Sequence, residues 1–436
     1  MTPAARIAAA IEILEAIAAT ERPADRVANA YLRERRYIGS KDRRAVADRV
    51  FGVLRRRARL GWWCARTGLD PEAPRHLVLA DLLLFEGQGL EALEALFDGG
   101  RYHPSVLSES ERAALSGLQG QALEAPEQEP WVRLECPAWL WPDFQAAFDE
   151  AVESELAALR EAAPLDLRVN APKAEREEVR LQLEGEGIAC AATAFSPFGL
   201  RAEGRRAVTA TAAFRDGLVE VQDEGAQLLA LLTDARPGQA VCDLCAGGGG
   251  KTLALGAAMA GEGRLVAADI DARRLAAARP RFRRAGLMGV EERVLAAVDP
   301  WLADQAGAFD RVLVDAPCSG SGTWRRNPEA RWRLTPEGLQ DLQGRQDALM
   351  AQAAGLVRPA GRLVYGTCSL LPAENATRTA AFLESRSDFR QLPAAEVWTE
   401  VIDAPYPGGD KALTLTPARH GTDGFYVAIF ERERRS

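Results

Sequence analysis

A chain of 436 residues exceeds what one ordinary hydrophobic core supports, so two or three domains are expected. With 47% hydrophobic and 27% charged residues it has the mixture of a soluble globular protein, and no apolar run approaches the length that spans a bilayer. The net charge of −8 argues against a nucleic-acid partner only until it is divided: Ala30–Arg66 holds 12 Lys/Arg against 3 Asp/Glu, and Asp81–Pro164 holds 4 against 17. That asymmetry fits an RNA or DNA footprint and a solvated helix face equally well. Thr2–Thr20 imitates a signal peptide, but Glu12 and Glu15 interrupt it, so a cytoplasmic protein is expected. Seven scattered cysteines point to reduced thiols. Three histidines, none near a cysteine pair, leave no metal site in prospect.

The first elements read as helices. Ile7, Ile11 and Leu14 share one face, as do Val46, Val50, Val53 and Leu54, and again Leu90, Leu93, Leu96 and Phe97. Arg6–Arg59, with "GSKDRR…FGVLRR" at Gly39–Arg56, resembles the all-helical NusB-like RNA-binding domain. Glu124–Pro130 reads as a linker, which places an all-α domain over 1–125. A small α+β domain is expected over 126–215, where "LDLRVN" at Leu165–Asn170 alternates before a helix at Lys173–Leu183. From 216 to 436, strand-like runs at Ala240–Cys245, Leu265–Ile270, Arg293–Val298, Phe309–Asp315, Arg362–Cys368 and Phe425–Phe430 are mostly separated by helical patterns. That alternation predicts an α/β domain with a doubly wound, mostly parallel sheet, whose ligands sit at the carboxyl ends of the strands.

"VCDLCAGGGGKT" (Val241–Thr252) is a strand entering a glycine-rich turn and a helix, where backbone amides approach a ligand. A triphosphate, a dinucleotide and S-adenosylmethionine are the candidate ligands. A Walker loop would need glycine at Cys245, and the dinucleotide fingerprint would need it at Thr252. Asp269 ends the next strand about 20 residues on, where an acid holds a ribose diol, with Asp271 left to cap the following helix. Asp299 ends the third strand and reads equally as a turn residue.

"VLVDAPCSGSG" (Val312–Gly322) and "LVYGTCS" (Leu363–Ser369) each end an apolar strand with a cysteine just past the edge. Adjoining edges would bring both thiols to one cavity, whereas Cys64, Cys136, Cys190 and Cys242 read as buried hydrophobes. Two thiols and an acid suit methylation at carbon 5 of cytosine, which is too weak a nucleophile to react directly. A thiolate adding to carbon 6 makes carbon 5 enamine-like. Asp315 would stabilise the ring through N3, and a second thiolate would take the carbon 5 proton. Lys251 and the glycine-loop amides would favour the attacking thiolate.

"DLCAGGGGKT", "AADID", "VLVDAPCSGSGTWRRNPEARW" and "LVYGTCSLLPAEN" resemble, in order and spacing, the motifs of the Sun/RsmB-type ribosomal RNA cytosine-5 methyltransferases (RsmB/NOP family). "CPAWL" at Cys136–Leu140, "LRVN" at Leu167–Asn170, "VQDEGAQL" at Val221–Leu228 and the closing "GTDGFYVAIF" extend the resemblance over nearly the whole chain. It implies a class I methyltransferase domain using S-adenosyl-L-methionine on RNA, 16S ribosomal RNA above all. It also implies that Cys368 attacks the base and Cys318 assists release. Cys245, Ala246, Gly247, Gly248, Gly249, Gly250, Lys251, Asp269, Asp299 and Asp315 would line the cofactor pocket. Gly247-Gly248 departs from the family's usual Ala-Pro, and "AVDP" at Asp299 departs from its Gly-Asp.

Arg325, Arg326, Arg331 and Arg333 follow the Cys318 loop and are placed to hold RNA; Trp324 and Trp332 read evenly as base-stacking or packing residues. A monomer is expected. The competing reading is a non-catalytic RNA-binding or ribosome-assembly factor on a methyltransferase fold, against which the intact Cys318, Cys368, Asp315 and Lys251 argue.

Overall fold

Thr2 caps the first helix, Pro3–Ala18, by accepting from the Ala5 amide at 3.1 Å. Helices follow over Ala24–Glu34, Ser40–Arg55, Arg57–Thr67, Pro74–Leu84, Leu90–Leu96 and Glu109–Leu118, the last opened by a Ser108–Glu111 capping box. Their apolar faces meet as their spacing predicts. Ile7, Ile11 and Leu14 share a core with Val46, Val50, Val53, Leu54, Leu93 and Phe97, and Leu90 and Leu96 pack at its margin. This computed structural model describes residues 1–204, 207–296, 298–409 and 411–434. It has two compact units: Met1–Glu161 with Trp324–Leu334, and Ala162–Thr323 with Thr335–Ser436.

Within the first unit three arginines of the basic stretch, Arg49, Arg56 and Arg59, pair with carboxylates of the acidic one. Arg56 pairs with buried Asp81 at 2.7 and 3.1 Å, and Arg49 meets Glu86 at 2.8 Å. Glu135, completely buried, accepts from Arg59 Nε at 2.9 Å and from the Ala58 and Arg59 amides, closing the start of Arg57–Thr67. Arg33, Arg36, Lys41 and Arg44 stay exposed, as does Tyr37 at 76%.

The helices Pro130–Arg133, Trp141–Phe148 and Val152–Ala158, grouped by sequence with the small α+β domain, belong to this helical unit. Trp324–Leu334 does too; the even reading of Trp324 resolves toward packing, and Arg331 and Arg333, expected to hold RNA, bond to carbonyls of this unit instead. Trp324 is fully buried against Phe144, with ring centroids 5.4 Å apart, under the guanidinium of Arg331. Arg331, 1% exposed, donates to the carbonyls of Glu135 (2.7 Å) and Leu159 (3.1 Å); burial pulls its pKa down to about 10 against the charge of Glu135. Arg333 donates to the carbonyls of Ile17 and Arg22, both at 2.9 Å.

The second unit begins with a small antiparallel sheet: β1 (Leu165–Val169), β2 (Cys190–Ala192), β3 (Gly199–Ala202) and β4 (Val219–Val221), ordered β2-β3-β1-β4. Helix Arg176–Gly185 closes its core on Leu167, Val169, Val179, Leu183 and Leu200. The "LRVN" strand is a fastening. Buried Arg168 donates to Gln222 and to the Gly250 carbonyl (2.8 Å), and Asn170 Nδ2 donates to the carbonyls of Gly217 and Ala285, both at 2.9 Å. Lys173 adds bonds to the carbonyls of Asp216 (2.7 Å) and Arg284 (2.8 Å).

The main sheet comprises β5 (Ala240–Asp243), β6 (Arg264–Asp269), β7 (Glu291–Val294), β8 (Phe309–Asp315), β9 (Val357–Thr367), β10 (Phe389–Leu392), β11 (Leu413–Leu415) and β12 (Phe425–Arg432). Its order is β10-β12-β9-β8-β5-β6-β7, with β11 pairing β12. The ladders from β7 to β9 are parallel, and β12 runs antiparallel to β9. Taking β5 as first strand and β12 as seventh, this is the 3-2-1-4-5-7-6 order of the class I methyltransferase sheet, so the expected doubly wound, mostly parallel fold is present. β7 starts two residues before its predicted position and ends at Val294; Ala297, within the predicted strand, lies outside the described residues. No helix among the described residues is long and apolar enough to cross a membrane.

Candidate active site

β5 hands over to the glycine loop at its carboxyl end. Gly247 and Gly249 have φ of +52° and +76°, left-handed values that a side chain would strain, and a Cβ on Gly249 would lie 2.6 Å from Phe282. The helix Gly250–Ala258 then starts with its free amides at the sheet edge. Asp269, 5% exposed, braces this loop: Oδ2 accepts from the Gly247 amide at 2.7 Å and Oδ1 from the Asp271 amide at 2.8 Å. Asp271 caps helix Ala272–Ala285 through the amides of Arg273 and Arg274. Each Asp269 oxygen keeps a lone pair. Just beyond the ends of β6 and β7, Ile270 is 77% and Val298 90% exposed.

Where the Ala-Pro pair of the family is Gly247-Gly248, two arginines occupy the vacated space. Arg281 donates to the Gly248 carbonyl and pairs with Glu220 at 3.4 Å, and Arg274 lies against Gly247. Asp299 accepts from the amides of Ala296 (3.0 Å) and Trp301 (3.0 Å) and from Arg293 (2.6 Å). Those amides and that guanidinium hold its carboxyl below the ordinary value. Its observed bonds are those of a helix cap. Cys245 and Ala246 pack inward, and burial pushes the Cys245 thiol up.

β8 and β9 are adjacent and in register, Asp315 opposite Gly366, so the chain leaves both strands at the same edge. The two thiols consequently meet: Cys318 Sγ and Cys368 Sγ are 3.4 Å apart. Lys251 Nζ lies 2.6 Å from Asp315 Oδ2. Burial alone would pull Lys251 down, but Asp315, helped by Asp243 and Cys368, carries it above the ordinary lysine value. The hydrogen bond to Cys368, then burial, then the charges of Cys368 and Glu374 push Cys318 well above an ordinary thiol. Among the described residues no group of three or more His, Cys, Asp or Glu could hold a metal ion.

The sequence reading passed over Asp243 and Glu374. Asp243 is buried at the end of β5, with Oδ2 accepting from Thr252 Oγ1 at 2.7 Å and Oδ1 lacking a partner. Burial pushes it up to about 7, with Thr252 opposing and Asp315 and Asp269 adding to the rise. Unfolded, it titrates near 3.8, so between the two values the folded chain holds the extra proton and stability falls as pH rises. Asp243→Asn should remove that slope, worth about 1.4 kcal/mol per pH unit across the window. Thermal melts at pH 4.5 and pH 8 should show the variant gaining on the wild type at the higher pH. Equal differences at both would mean Asp243 does not titrate there.

A sheet in this order, with chemistry-bearing side chains at its carboxyl edge, defines a methyltransferase. A family model described as 16S rRNA methyltransferase RsmB/F matches residues 230–431, and one for an RsmF/B-like, ferredoxin-like domain matches 136–209. A probable ribosomal RNA small subunit methyltransferase B of Synechocystis sp. is 32% identical over 396 residues, covering 89% of this chain and 86% of that protein. The ribosomal RNA small subunit methyltransferase B of Serratia proteamaculans is 31% identical over 409 residues, covering 90% and 91%. Among solved structures, that of PH0851 has a TM-score of 0.82 at 26% identity over 99% of each chain. A methyltransferase homolog protein from Pyrococcus horikoshii has a TM-score of 0.61 at 25% identity, over 71% of this chain and 100% of that one. The chain belongs to the RsmB/F methyltransferase family.

Proposed function

We propose that this protein is an S-adenosylmethionine-dependent RNA methyltransferase acting on carbon 5 of a cytosine in small-subunit ribosomal RNA, with Cys368 as nucleophile and Cys318 assisting release. The observation that carries this reading is the 3.4 Å approach of two sulfurs beside the Lys251–Asp315 pair. The relatives' names supply the RNA.

The residues at the edge of β5, β6 and β7 fit the cofactor. The amides at the start of Gly250–Ala258 suit a carboxylate, Asp269 has lone pairs for a ribose diol, and open Ile270 and Val298 suit a purine face. Once bound, the cofactor supplies an activated methyl group. Cys368 adds as thiolate to carbon 6, and the ring electrons make carbon 5 the nucleophile that takes the methyl. The proton that Cys368 gives up on attack goes to ring N3 and returns to Cys368 when that sulfur leaves, while Asp315, ion-paired with Lys251, accepts hydrogen bonds from the N4 amino group and the protonated N3. When Cys368 is bound to carbon it no longer bonds to Cys318, and the largest cause of that thiol's raised pKa is gone. Cys318 then gives up its own proton to solvent, removes the carbon 5 proton as a thiolate, and the carbon 6–sulfur bond breaks with its electron pair returning to Cys368.

On the helical unit, exposed Arg33, Arg36, Lys41 and Arg44, with exposed Tyr37, are the side chains best suited to the RNA backbone and an unstacked base. Changing all four cations to Gln should weaken RNA binding and flatten its salt dependence by about 0.7–0.9 in log–log slope for each phosphate no longer neutralised. An unchanged slope, measured by filter binding from 50 to 300 mM salt, would move the RNA-binding surface elsewhere. The function itself is tested by bisulfite sequencing of ribosomal RNA from cells with and without the protein. One protected cytosine in 16S rRNA that depends on the gene is expected; identical patterns would exclude the activity.

A further inference from the structure

Glu374 is fully buried in the loop after β9, yet it is used by none of the steps above. Its Oε1 accepts from the Ser319 amide at 2.8 Å and from Gln346 Nε2 at 3.0 Å. Its Oε2 accepts from the hydroxyls of Ser319 and Ser369, both at 2.5 Å. Four donors around one carboxyl group are the environment of an ionised carboxylate. Ser319 directly follows Cys318, and Ser369 directly follows Cys368. Gln346 also donates to the carbonyl of Pro317, the residue before Cys318, at 3.0 Å. A single carboxylate thus holds both cysteine loops from behind. The serines close the arrangement: Ser369 Oγ lies 3.2 Å from Ser319 Oγ and 3.1 Å from Ser321 Oγ, and Ser321 accepts from the Leu370 amide at 2.8 Å.

We propose that Glu374 is a positioning residue for the reaction: its carboxylate ties the Cys318 and Cys368 loops into one rigid unit and places a fixed negative charge on the Cys318 side of the sulfur pair. This rests on the function proposed above. The charge of Glu374 is one of the causes that raise Cys318, after its hydrogen bond to Cys368, burial and the charge of Cys368. In this arrangement the charge of Glu374 favours the proton on Cys318 and leaves Cys368 as the attacking sulfur. Sequence spacing could not assign those roles, because either thiol can be the nucleophile of a cytosine-5 methyltransferase.

The test is a pH profile of iodoacetamide alkylation of the full chain, each thiol mapped by mass spectrometry, with circular dichroism as the fold check. In the wild type Cys368 should react first at neutral pH and Cys318 only at more alkaline pH. Glu374→Gln should bring the Cys318 midpoint down by about one pH unit and erase the order, since a pKa shift of that size is what loss of one nearby charge produces. Glu374→Asp, which keeps the charge, should restore the order. In methylation assays kcat of Glu374→Gln should fall at least about tenfold, with KM for RNA and cofactor affinity changed less than about twofold. If Glu374→Gln does not fold, Ser369→Ala removes one arm of the clamp and should shift the Cys318 midpoint in the same direction by less. Unchanged midpoints and order in a folded variant overturn the proposal. A wild-type protein with ordered thiols that methylates no RNA overturns the function and leaves the role of Glu374 in ordering the thiols standing.

Discussion

Cys368→Ala is expected to abolish methylation, by at least about four orders of magnitude in kcat, while leaving a folded protein that still binds S-adenosylmethionine. Removing the attacking sulfur returns the reaction to direct transfer from an unactivated carbon 5, and covalent activation is the step that makes this chemistry feasible. The fold should survive, because Cys368 sits just past the end of β9 and only packs at the margin of the core built on Val364 and Val427. The measurement pairs tritium transfer to ribosomal RNA with calorimetric titration of the cofactor. A variant with near wild-type turnover would refute the assignment of Cys368, and with it the proposed mechanism.

Cys318→Ala should behave differently. Attack and methyl transfer proceed, but the carbon 5 proton has no base, so the methylated adduct accumulates as an RNA–protein complex that survives denaturing electrophoresis. Nearly stoichiometric trapping is expected in the presence of cofactor, and none in the Cys318→Ala, Cys368→Ala double variant. The 3.4 Å separation makes this contrast sharp, since two sulfurs that close fit the two sides of the proposed step on one ring. Adduct trapped instead by Cys368→Ala would exchange the two roles.

Much of this site was legible because its signals are local. A strand that ends in Pro-Cys and another that ends in Thr-Cys announce their own place in a doubly wound sheet, and β8 and β9 lie side by side as that argument requires. Asp271 caps the following helix as the pattern implied, while Asp269, expected on a ribose diol, is seen bracing the glycine loop. What sequence left obscure depends on distant partners. β10 and β11 are only four and three residues long, too short for alternation to register, and they exist because β12 offers an edge to pair with. Arg331 read as an RNA contact, and Trp324 evenly as stacking or packing, because nothing local reveals that the Glu135 carbonyl and Phe144 await them. Glu374 was hidden for the same reason: a lone carboxylate in a loop has no signature until the serines after both cysteines turn toward it.

The excursion of Trp324–Leu334 into the helical unit bears on how the protein can be dissected. A fragment lacking the first 161 residues would keep an indole and a guanidinium whose sockets had been cut away, exposing a sticky apolar surface a few positions downstream of a thiol that the chemistry needs. Domain trimming, the usual shortcut for obtaining a soluble catalytic piece, is therefore the wrong strategy here, and homologous grafts should exchange residues 1–161 and the 324–334 segment together.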